Sequence, residues 1–276
     1  MAKPQILLTN DDGIRSPGLW AAAEALSQIG FVSVVAPRDQ SSGAGRSLPS
    51  SSDGLIREQI IEINGKCWKT YAVGGSPAQV VQHGLLEILP EKPDLVVSGI
   101  NYGENVATGI TISGTVGAAM EAAAMGIPAL AMSLATDQAL HLTYSTDVDF
   151  ATAAYFTMIF SQMLLKRHLP QGVDLIKVDV PADATPNTPW EWTQLSRQRY
   201  YIPTKPNRSS WDVAEPLGYK IEFNFESEPQ NSDVYTLIAK QRVSVTPLTL
   251  DMTARVDESA LNQFAKPGSQ PGKASS

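Results

Sequence analysis

The feature that most constrains the fold is an alternation, through the first half of the chain, of short apolar β-type segments with segments that carry a helical stripe. Residues 5–9 and 31–36 have the composition of buried strands, and apolar residues between 18 and 28 recur at the spacing of one helix face. Parallel strands need such long crossover connections, whereas antiparallel strands do not. The sequence therefore predicts an α/β fold with a doubly wound, mostly parallel sheet.

The same alternation continues along the chain as far as residue 180. Further strands are predicted at 95–98, 129–133 and 175–180, and further helices at 77–89, 115–125 and 149–166. One interruption is predicted near residues 55–73, where Asn64-Gly65 separates two β-type segments in the way typical of a β-hairpin. We therefore place a catalytic body at residues 1–182, with a hairpin inserted into an otherwise parallel sheet.

The composition changes after residue 182, where closely spaced prolines and a high density of tyrosine and tryptophan replace the helical patterns. Proline at this density suits loops and edge strands, so residues 183–264 are predicted to form an arm of β-hairpin character that packs against the body or a second subunit. Residues 235–239 are predicted as its returning strand. We expect the aromatic side chains to serve packing or oligomer contacts rather than ligand binding, and residues 265–276 to be disordered.

The charge balance excludes several classes of partner. Lysine and arginine number 21 against 28 aspartate and glutamate, which gives a net charge of -7. This excess of acid leaves no general cationic surface for a nucleic-acid polymer or an anionic membrane. The single cysteine, Cys67, excludes an internal disulfide and a multi-cysteine metal site. Because the sequence has no membrane-length apolar run and no secretion signal at its start, a cytoplasmic location is expected.

Polar residues follow three of the predicted parallel strands, at the carboxyl edge where doubly wound sheets bind their ligands. Asp11 and Asp12 end the first strand, Ser42 lies in the loop after the second, and Asn101 follows the third. Adjacent carboxylates repel each other unless a cation or water separates them, and an all-oxygen set suits Mg²⁺ or Mn²⁺ better than zinc or copper. Each segment judged alone also suits a plain turn or a solvated loop, so only the complete set points to a metal site.

A fourth segment, Ser113-Gly114-Thr115, precedes the helix predicted at 115–125. Serine or threonine at a helix start is usually a cap, but the free amides and the positive end of a helix also bind phosphate. Both interpretations stay open from this segment alone.

Other familiar nucleotide-binding and catalytic signatures have little support in the sequence. The glycine-rich motifs of P-loop and dinucleotide-binding proteins are absent. The three histidines are His83, His141 and His168. Because they are scattered along the chain, each is expected to be structural or at the surface rather than catalytic.

The four polar segments, in this order, resemble the SurE family of stationary-phase survival proteins, which are metal-dependent 5′/3′-nucleotidases. The matching text is residues 6–13 (ILLTNDDG) with Pro17-Gly18, residues 35–37 (VAP) with Ser42-Gly43, residues 93–101 (PDLVVSGIN), and residues 113–116 (SGTV) with Ala119-Met120-Glu121. The resemblance implies a divalent-metal site formed by Asp11, Asp12, Ser42 and Asn101. It also implies phosphate contacts from Asn105, Ser113, Gly114 and Thr115.

The resemblance further implies a Rossmann-like body, an arm exchanged between the subunits of a homodimer or homotetramer, and hydrolysis of nucleoside 5′- and 3′-monophosphates, with short polyphosphate as a further substrate. Two departures from the family pattern concern the choice of base. Residues 75–80 read GSPAQV where GTPADC is common, and Ile112 replaces a frequent tyrosine. The metal-binding set is intact.

We interpret the chain as a phosphomonoesterase of the 5′-nucleotidase type with Mg²⁺ or Mn²⁺ as cofactor. The cation would supply Lewis-acid chemistry, Asp11 or Asp12 would accept a proton from the attacking water, and the helix start would hold phosphate charge. One alternative is a non-catalytic module that binds a metal and a nucleotide and acts as a sensor. Another is a phosphatase with an aspartyl nucleophile, which normally needs an Asp-x-Asp spacing that Asp11 and Asp12 lack.

Overall fold

The computed structural model describes residues 3–141 and 143–265. In chain order the strands are β1 (Gln5–Thr9), β2 (Phe31–Pro37), β3 (Ile56–Ile63), β4 (Lys66–Val73), β5 (Leu95–Tyr102), β6 (Ala129–Leu134), β7 (Leu175–Val180), β8 (Trp190–Trp192), β9 (Tyr201–Thr204), β10 (Gly218–Ile221) and β11 (Val243–Leu248). The α-helices are α1 (Pro17–Ser27), α2 (Pro77–His83), α3 (Gly114–Ala124), α4 (Ala151–Lys166) and α5 (Glu258–Phe264). None of the helices within these ranges combines the length and the apolar character that crossing a bilayer requires.

The strands form a nine-stranded sheet in the order β3-β4-β2-β1-β5-β6-β7-β11-β8, and β9 and β10 form a separate two-stranded sheet. From β4 to β7 all neighbouring strands run parallel. The strands β3 and β11 pair antiparallel with β4 and β7. The structure therefore confirms the doubly wound, mostly parallel sheet, and it confirms the hairpin whose turn contains Asn64 at a φ of 49°.

Helices cover both faces of the sheet, because alternate residues of each strand point to opposite sides. Along β1, Ile6 and Leu8 pack in the core on the side of α1 and α4, and Leu7 packs in the core on the side of α2 and α3. The helices α1 and α3 follow β1 and β5 in the chain. Their first turns therefore lie at the carboxyl edge of the sheet, beside the loops that carry the candidate site residues.

Two boundaries differ from the sequence prediction. The strand β5 continues to Tyr102 instead of ending at residue 98, so Asn101 lies within the strand rather than in the loop after it. The helix predicted at 77–89 consists of α2 and a following π-helical turn at Gly84–Ile88. Neither difference moves a candidate residue away from the carboxyl edge.

The returning strand predicted at residues 235–239 is wrong, because Tyr235–Ala239 forms a π-helical segment. The chain turns into it because Ser232 Oγ accepts a hydrogen bond from the Tyr235 amide at 3.1 Å and the Asp233 carboxylate accepts one from the Val234 amide at 2.9 Å. A short apolar run does not by itself distinguish a strand from a buried helical turn. The strand that returns to the main sheet is β11, which lies between β7 and β8.

The segment after residue 182 contributes to two sheets. The strands β8 and β11 join the main sheet, whereas β9 and β10, which we call the arm hairpin, pair with each other and place Tyr219 opposite Pro203. The arm hairpin confirms the predicted β-hairpin character. The division of the chain at residue 182 and the contact with a second subunit stay predictions. The predicted disordered tail, residues 265–276, lies outside the described residues apart from Ala265.

A buried ion cluster joins β7 to the segment after residue 182. Lys177 Nζ contacts the carboxylate of Asp179 and, at 3.3 Å, that of Asp233, and all three side chains are fully buried. Asp179 also accepts the amide hydrogen of Asn105 at 2.7 Å, and Asp233 accepts that of Ala107 at 2.9 Å. Burial raises the pKa of Asp179 to about 6, and the attraction of Lys177 opposes that rise. The cluster therefore fixes the loop after β5, which carries the candidate residue Asn105.

Candidate active site

A cavity of about 690 Å³ lies at the carboxyl edge of the sheet. Five of the candidate residues line it: Asp11, Ser42, Asn101, Asn105 and Ser113. The other three are buried beside Asp11: Asp12, Gly114 and Thr115. The fold thus brings the separate polar segments of the chain to one place.

The two acids after β1 are held by hydrogen bonds from other segments of the chain. Asp11 is 4% exposed, and its Oδ1 accepts a hydrogen bond from Thr115 Oγ1 at 2.5 Å. Asp12 is 1% exposed; its carboxylate accepts hydrogen bonds from Gln40 Nε2 at 3.1 Å and from the Tyr102 amide at 3.3 Å. Because each carboxylate accepts hydrogen bonds from a segment distant in the chain, both acids have defined orientations.

Burial makes this pair of acids unfavourable in its doubly charged form. Burial raises the pKa of Asp11, and hydrogen bonds from Thr115 and from the Gly114 amide oppose the rise. Burial, followed by the charge of Asp11, raises the pKa of Asp12 well above its ordinary value. A positive charge beside the pair would favour the ionised forms, since an opposite charge lowers the pKa of a carboxyl group.

The start of α3 approaches Asp11 closely. A methyl group at Gly114 would lie 2.6 Å from Asp11 Cβ and 2.8 Å from its Oδ2, so only glycine leaves room for the acid. Ser113 caps the helix, because its Oγ accepts a hydrogen bond from the Val116 amide at 3.1 Å. The cap interpretation of this segment is therefore confirmed, and Gly114 and Thr115 contact Asp11. Their contact with a phosphate stays a prediction.

The two asparagines have fixed amide groups that line the cavity. Asn101 Nδ2 donates to the carbonyl oxygens of Tyr102 at 3.0 Å and Gly103 at 2.7 Å, and no donor among the described residues reaches Asn101 Oδ1. Asn105 Nδ2 donates to Ser133 Oγ at 2.8 Å. In both residues the nitrogen is used within the protein, which leaves the amide oxygen of Asn101 available to a ligand.

Ser42 is exposed, and main-chain hydrogen bonds hold its loop beside the acid pair. The Ser41 amide donates to the Asp11 carbonyl oxygen at 2.8 Å, and the Gly45 amide donates to the Ile112 carbonyl oxygen at 3.0 Å. These two bonds attach the loop after β2 to β1 and to the segment before α3. The prediction that this Ser/Gly-rich loop belongs to the site is therefore consistent with its position in the cavity wall.

The cavity also contains residues that the sequence analysis did not assign to a site. Among them are Glu104, Arg199, Tyr201, Leu217 and Tyr219, together with His141. The pairing of β9 with β10 places the two tyrosines in the cavity wall. The expectation that the aromatic side chains of the arm serve packing or oligomer contacts rather than ligand binding stays a prediction. The density of aromatic residues after residue 182 was the only sequence signal, and it did not say which of them face the cavity.

Comparison with known proteins gives consistent results. The family model described as Survival protein SurE matches residues 6–202. A relative from Thermococcus gammatolerans named 5′-nucleotidase SurE is 42% identical over 259 residues and aligns over 92% of each chain. A relative of the same name from Archaeoglobus fulgidus is 40% identical over 257 residues, which cover 92% of this chain and 94% of its own. The crystal structure of the SurE protein from Aquifex aeolicus matches with a TM-score of 0.70 and 32% identity, over 91% of this chain and 95% of that chain.

Proposed function

This chain belongs to the SurE family of survival proteins, and from that premise we propose that it is a divalent-metal-dependent phosphomonoesterase that hydrolyses nucleoside 5′- and 3′-monophosphates to nucleoside and inorganic phosphate. Relatives named 5′-nucleotidase SurE that align over 92% of the chain support this activity. The observation that carries the proposal is the convergence of the Asp11 and Asp12 pair, Asn101 and the start of α3 at one cavity.

The residues present fit a divalent cation. Asp11 and Asp12 offer carboxylate oxygens, Ser42 offers a hydroxyl, and Asn101 offers an amide oxygen that accepts no hydrogen bond from the described residues. A cation beside the buried acids would offset the effects that raise their pKa values. An all-oxygen donor set favours Mg²⁺ or Mn²⁺, which we propose as the cofactor. When bound, such an ion supplies Lewis-acid polarisation of a phosphoryl oxygen and lowers the pKa of water.

The residues of the chain are proposed to accept the proton of the water, to bind the phosphate and to orient Asp11. Hydrolysis forms a bond from a water oxygen to phosphorus and breaks the bond from phosphorus to the nucleoside oxygen. The attacking water gives up one proton and the departing oxygen takes one up, so the nucleoside leaves with a free hydroxyl. Asp11 lines the cavity and is better placed than the enclosed Asp12 to accept the proton of the water. Asn105 and Ser113 line the same cavity and are proposed to bind the phosphate. Gly114 and Thr115 are proposed to contribute mainly by orienting Asp11.

Release of inorganic phosphate tests the proposed function directly. The substrates are a panel of 5′- and 3′-monophosphates, short polyphosphate and an aryl phosphate, each with Mg²⁺, with Mn²⁺ and after chelation. We expect release from nucleoside monophosphates with either ion and loss of release after chelation. Binding of nucleotide and metal without release would support a sensor instead, and release that survives exhaustive chelation would contradict metal dependence.

The role proposed for Thr115 can be tested by a matched pair of substitutions. Thr115 is fully buried and donates the 2.5 Å hydrogen bond to Asp11, so Thr115→Val keeps the shape but removes the donor, whereas Thr115→Ser keeps the donor. Because a hydrogen bond to a charged group contributes about 1.5–3 kcal/mol, we expect kcat/KM to fall at least about tenfold in the valine variant only. Equal losses in both variants, measured by steady-state kinetics, would point to packing rather than to orientation of Asp11.

Three further features complete the proposal. They are a homodimer or homotetramer with an exchanged arm, cleavage of short polyphosphate, and a cytoplasmic location. Trp211 is 90% accessible in the segment between β9 and β10, and Val213 and Leu217 of the same segment are also exposed. Several large apolar side chains exposed close together in the chain support a subunit contact there. Light scattering coupled to size exclusion measures the oligomeric state of the full chain.

A further inference from the structure

The cavity is larger than a phosphate site needs, and its lining includes two chemically different groups of residues. One group, which we call the acid end, consists of Asp11, Asn101 and Ser113. The other group, which we call the arm wall, consists of His141, Tyr201, Leu217 and Tyr219. At about 690 Å³ the whole cavity falls within the range of small-molecule sites, which are about 300–1,000 Å³. Whatever occupies the acid end therefore has room to extend along the arm wall.

The aromatic rings of the arm wall hold one another in place. The rings of His141 and Tyr219 are nearly parallel, with 19° between their planes, and Tyr201 stands edge-on to both at 82° and 87°. His141 Nδ1 and the Tyr219 hydroxyl are 3.0 Å apart, and the Tyr201 hydroxyl donates to the Glu104 carbonyl oxygen at 2.9 Å. Aromatic side chains fixed in this way form a preorganised surface for a flat ring.

Two aliphatic side chains extend this apolar surface into solvent. Leu217 is 71% exposed and Ile112 is 55% exposed, and both line the cavity. They come from different parts of the chain, since Leu217 precedes β10 and Ile112 precedes α3. A ligand ring that lay along the arm wall would remove apolar surface of both residues from water, which is favourable in proportion to the area covered.

Glu104 adds a buried acid to the same cavity wall. Its side chain is 4% exposed, lines the cavity, and forms no ion pair with any residue of the described ranges. The Tyr201 hydroxyl donates to the Glu104 carbonyl oxygen at 2.9 Å, so Glu104 lies directly against the arm wall. A carboxylate repels a phosphate but accepts hydrogen bonds from hydroxyl groups. A polyhydroxylated group next to the phosphate is therefore the partner that suits Glu104.

We propose that the arm wall and Glu104 form a nucleoside-binding subsite, in which the arm wall contacts the base of the substrate and Glu104 accepts hydrogen bonds from its sugar hydroxyls. The inference rests on the proposed function, because it assumes that the phosphate lies at the acid end. It goes further in assigning substrate selection to the arm hairpin and to Glu104. A phosphomonoester without a base or a sugar would contact neither the arm wall nor Glu104. The subsite therefore makes the enzyme selective for nucleotides over simple phosphomonoesters.

Four substrates separate the two contacts. AMP carries both groups, 2′,3′-dideoxy-AMP lacks the sugar hydroxyls, ribose 5-phosphate lacks the base, and ethyl phosphate lacks both. We expect Tyr219→Ala to raise KM about tenfold for the two compounds that carry a base, and to leave it unchanged for the other two. We expect Glu104→Gln to raise KM about fivefold for the two compounds that carry sugar hydroxyls, because a charged acceptor binds about twice as strongly as a neutral one.

Two further variants separate these effects from general damage. Glu222→Gln removes an exposed acid of the arm that pairs with Lys220 and lies outside the cavity lining, so it should match the wild type on all four compounds. Tyr219→Phe keeps the ring and loses only the hydroxyl, so its KM for the two compounds that carry a base should rise less than in Tyr219→Ala. Equal changes in KM for all four compounds in Tyr219→Ala or Glu104→Gln would overturn the subsite, and circular dichroism confirms that each variant is folded.

The experiment distinguishes failure of the subsite from failure of the proposed function. If the wild type releases phosphate from none of the four compounds, the proposed hydrolysis is wrong. The same compounds are then compared as ligands, with Mn²⁺ present, by the shift in melting temperature that each causes. The same pattern across the variants would still support the nucleoside subsite, and stabilisation by all four compounds alike would overturn it.

Discussion

Asp11→Asn should lower kcat/KM for nucleoside monophosphates about a thousandfold without unfolding the protein, which corresponds to about 4 kcal/mol of lost transition-state stabilisation. The large effect is expected because Asp11 is the one acid of the pair that lines the cavity, where it is proposed both to hold the cation and to accept a proton. The fold is expected to survive for two reasons. Asparagine has the same shape, and the Thr115 hydroxyl, which now donates to Asp11, can rotate and accept a hydrogen bond from the new amide.

The measurement combines steady-state kinetics with thermal unfolding of the same preparations. Asp39→Asn serves as the matched control, because Asp39 lies in the neighbouring loop, is largely exposed and pairs only with Arg38 among the described residues. We expect its kcat/KM to stay within about twofold of the wild type, since exposed pairs contribute little. An Asp11→Asn variant that keeps more than a tenth of the wild-type activity would contradict the assignment of Asp11 to the centre of the reaction.

Much of the fold was predictable because its signals are local. The helical stripe that includes Leu19 and Leu26 needs only the period of one helix, and Asn64-Gly65 needs only the geometry of one turn. The convergence of Asp11 and Asn101 was predictable for a topological reason. Asp11 follows β1 and Asn101 lies near the carboxyl end of the neighbouring β5, and the carboxyl ends of parallel strands share one edge of the sheet.

The remaining features depend on contacts between distant segments, which local patterns do not encode. The amides and hydroxyls at the start of a helix can bind a capping side chain, an anion or a neighbouring acid. Here the acid occupies this place, because a methyl group at Gly114 would lie only 2.6 Å from Asp11 Cβ and because Thr115 donates to Asp11 Oδ1. Tyr219 reaches the cavity because β10 pairs with β9, and the spacing of the aromatic residues did not predict that pairing. The short run at Tyr235–Ala239 became helical because Ser232 and Asp233 cap it.

The surroundings of Lys177 also depend on contacts between distant segments of the chain. Its substitution has the largest expected effect on the free energy of unfolding. Lys177 and Asp179 are two residues apart on β7 and therefore point to the same face of the sheet, but the third member, Asp233, comes from the segment that follows β10. Removal of the lysine would leave two buried carboxylates without a cation. We expect Lys177→Met to lower the free energy of unfolding by about 3–5 kcal/mol, since breaking a buried ion pair exposes the full desolvation penalty of the remaining charge.

Urea unfolding of Lys177→Met and of Lys177→Met/Asp179→Asn measures this effect, with Lys69→Met as the control at an exposed ion pair. The double variant should recover part of the loss, because it removes one of the unpaired charges while the side-chain oxygen of the introduced asparagine can still accept the amide hydrogen of Asn105.

The pH dependence of the unfolding free energy provides a second check. Burial already raises the pKa of Asp179 to about 6, and loss of Lys177 raises that pKa further, so the folded state of the single variant binds a proton more tightly than the unfolded state. The stability that protonation of Asp179 contributes is then retained at low pH and lost as the pH rises through the folded-state pKa. The loss of unfolding free energy caused by Lys177→Met should therefore be smaller at pH 5 than at pH 8. A defect that is equal at both pH values, or that the second substitution deepens, would show that Lys177 acts through packing and not by neutralising Asp179.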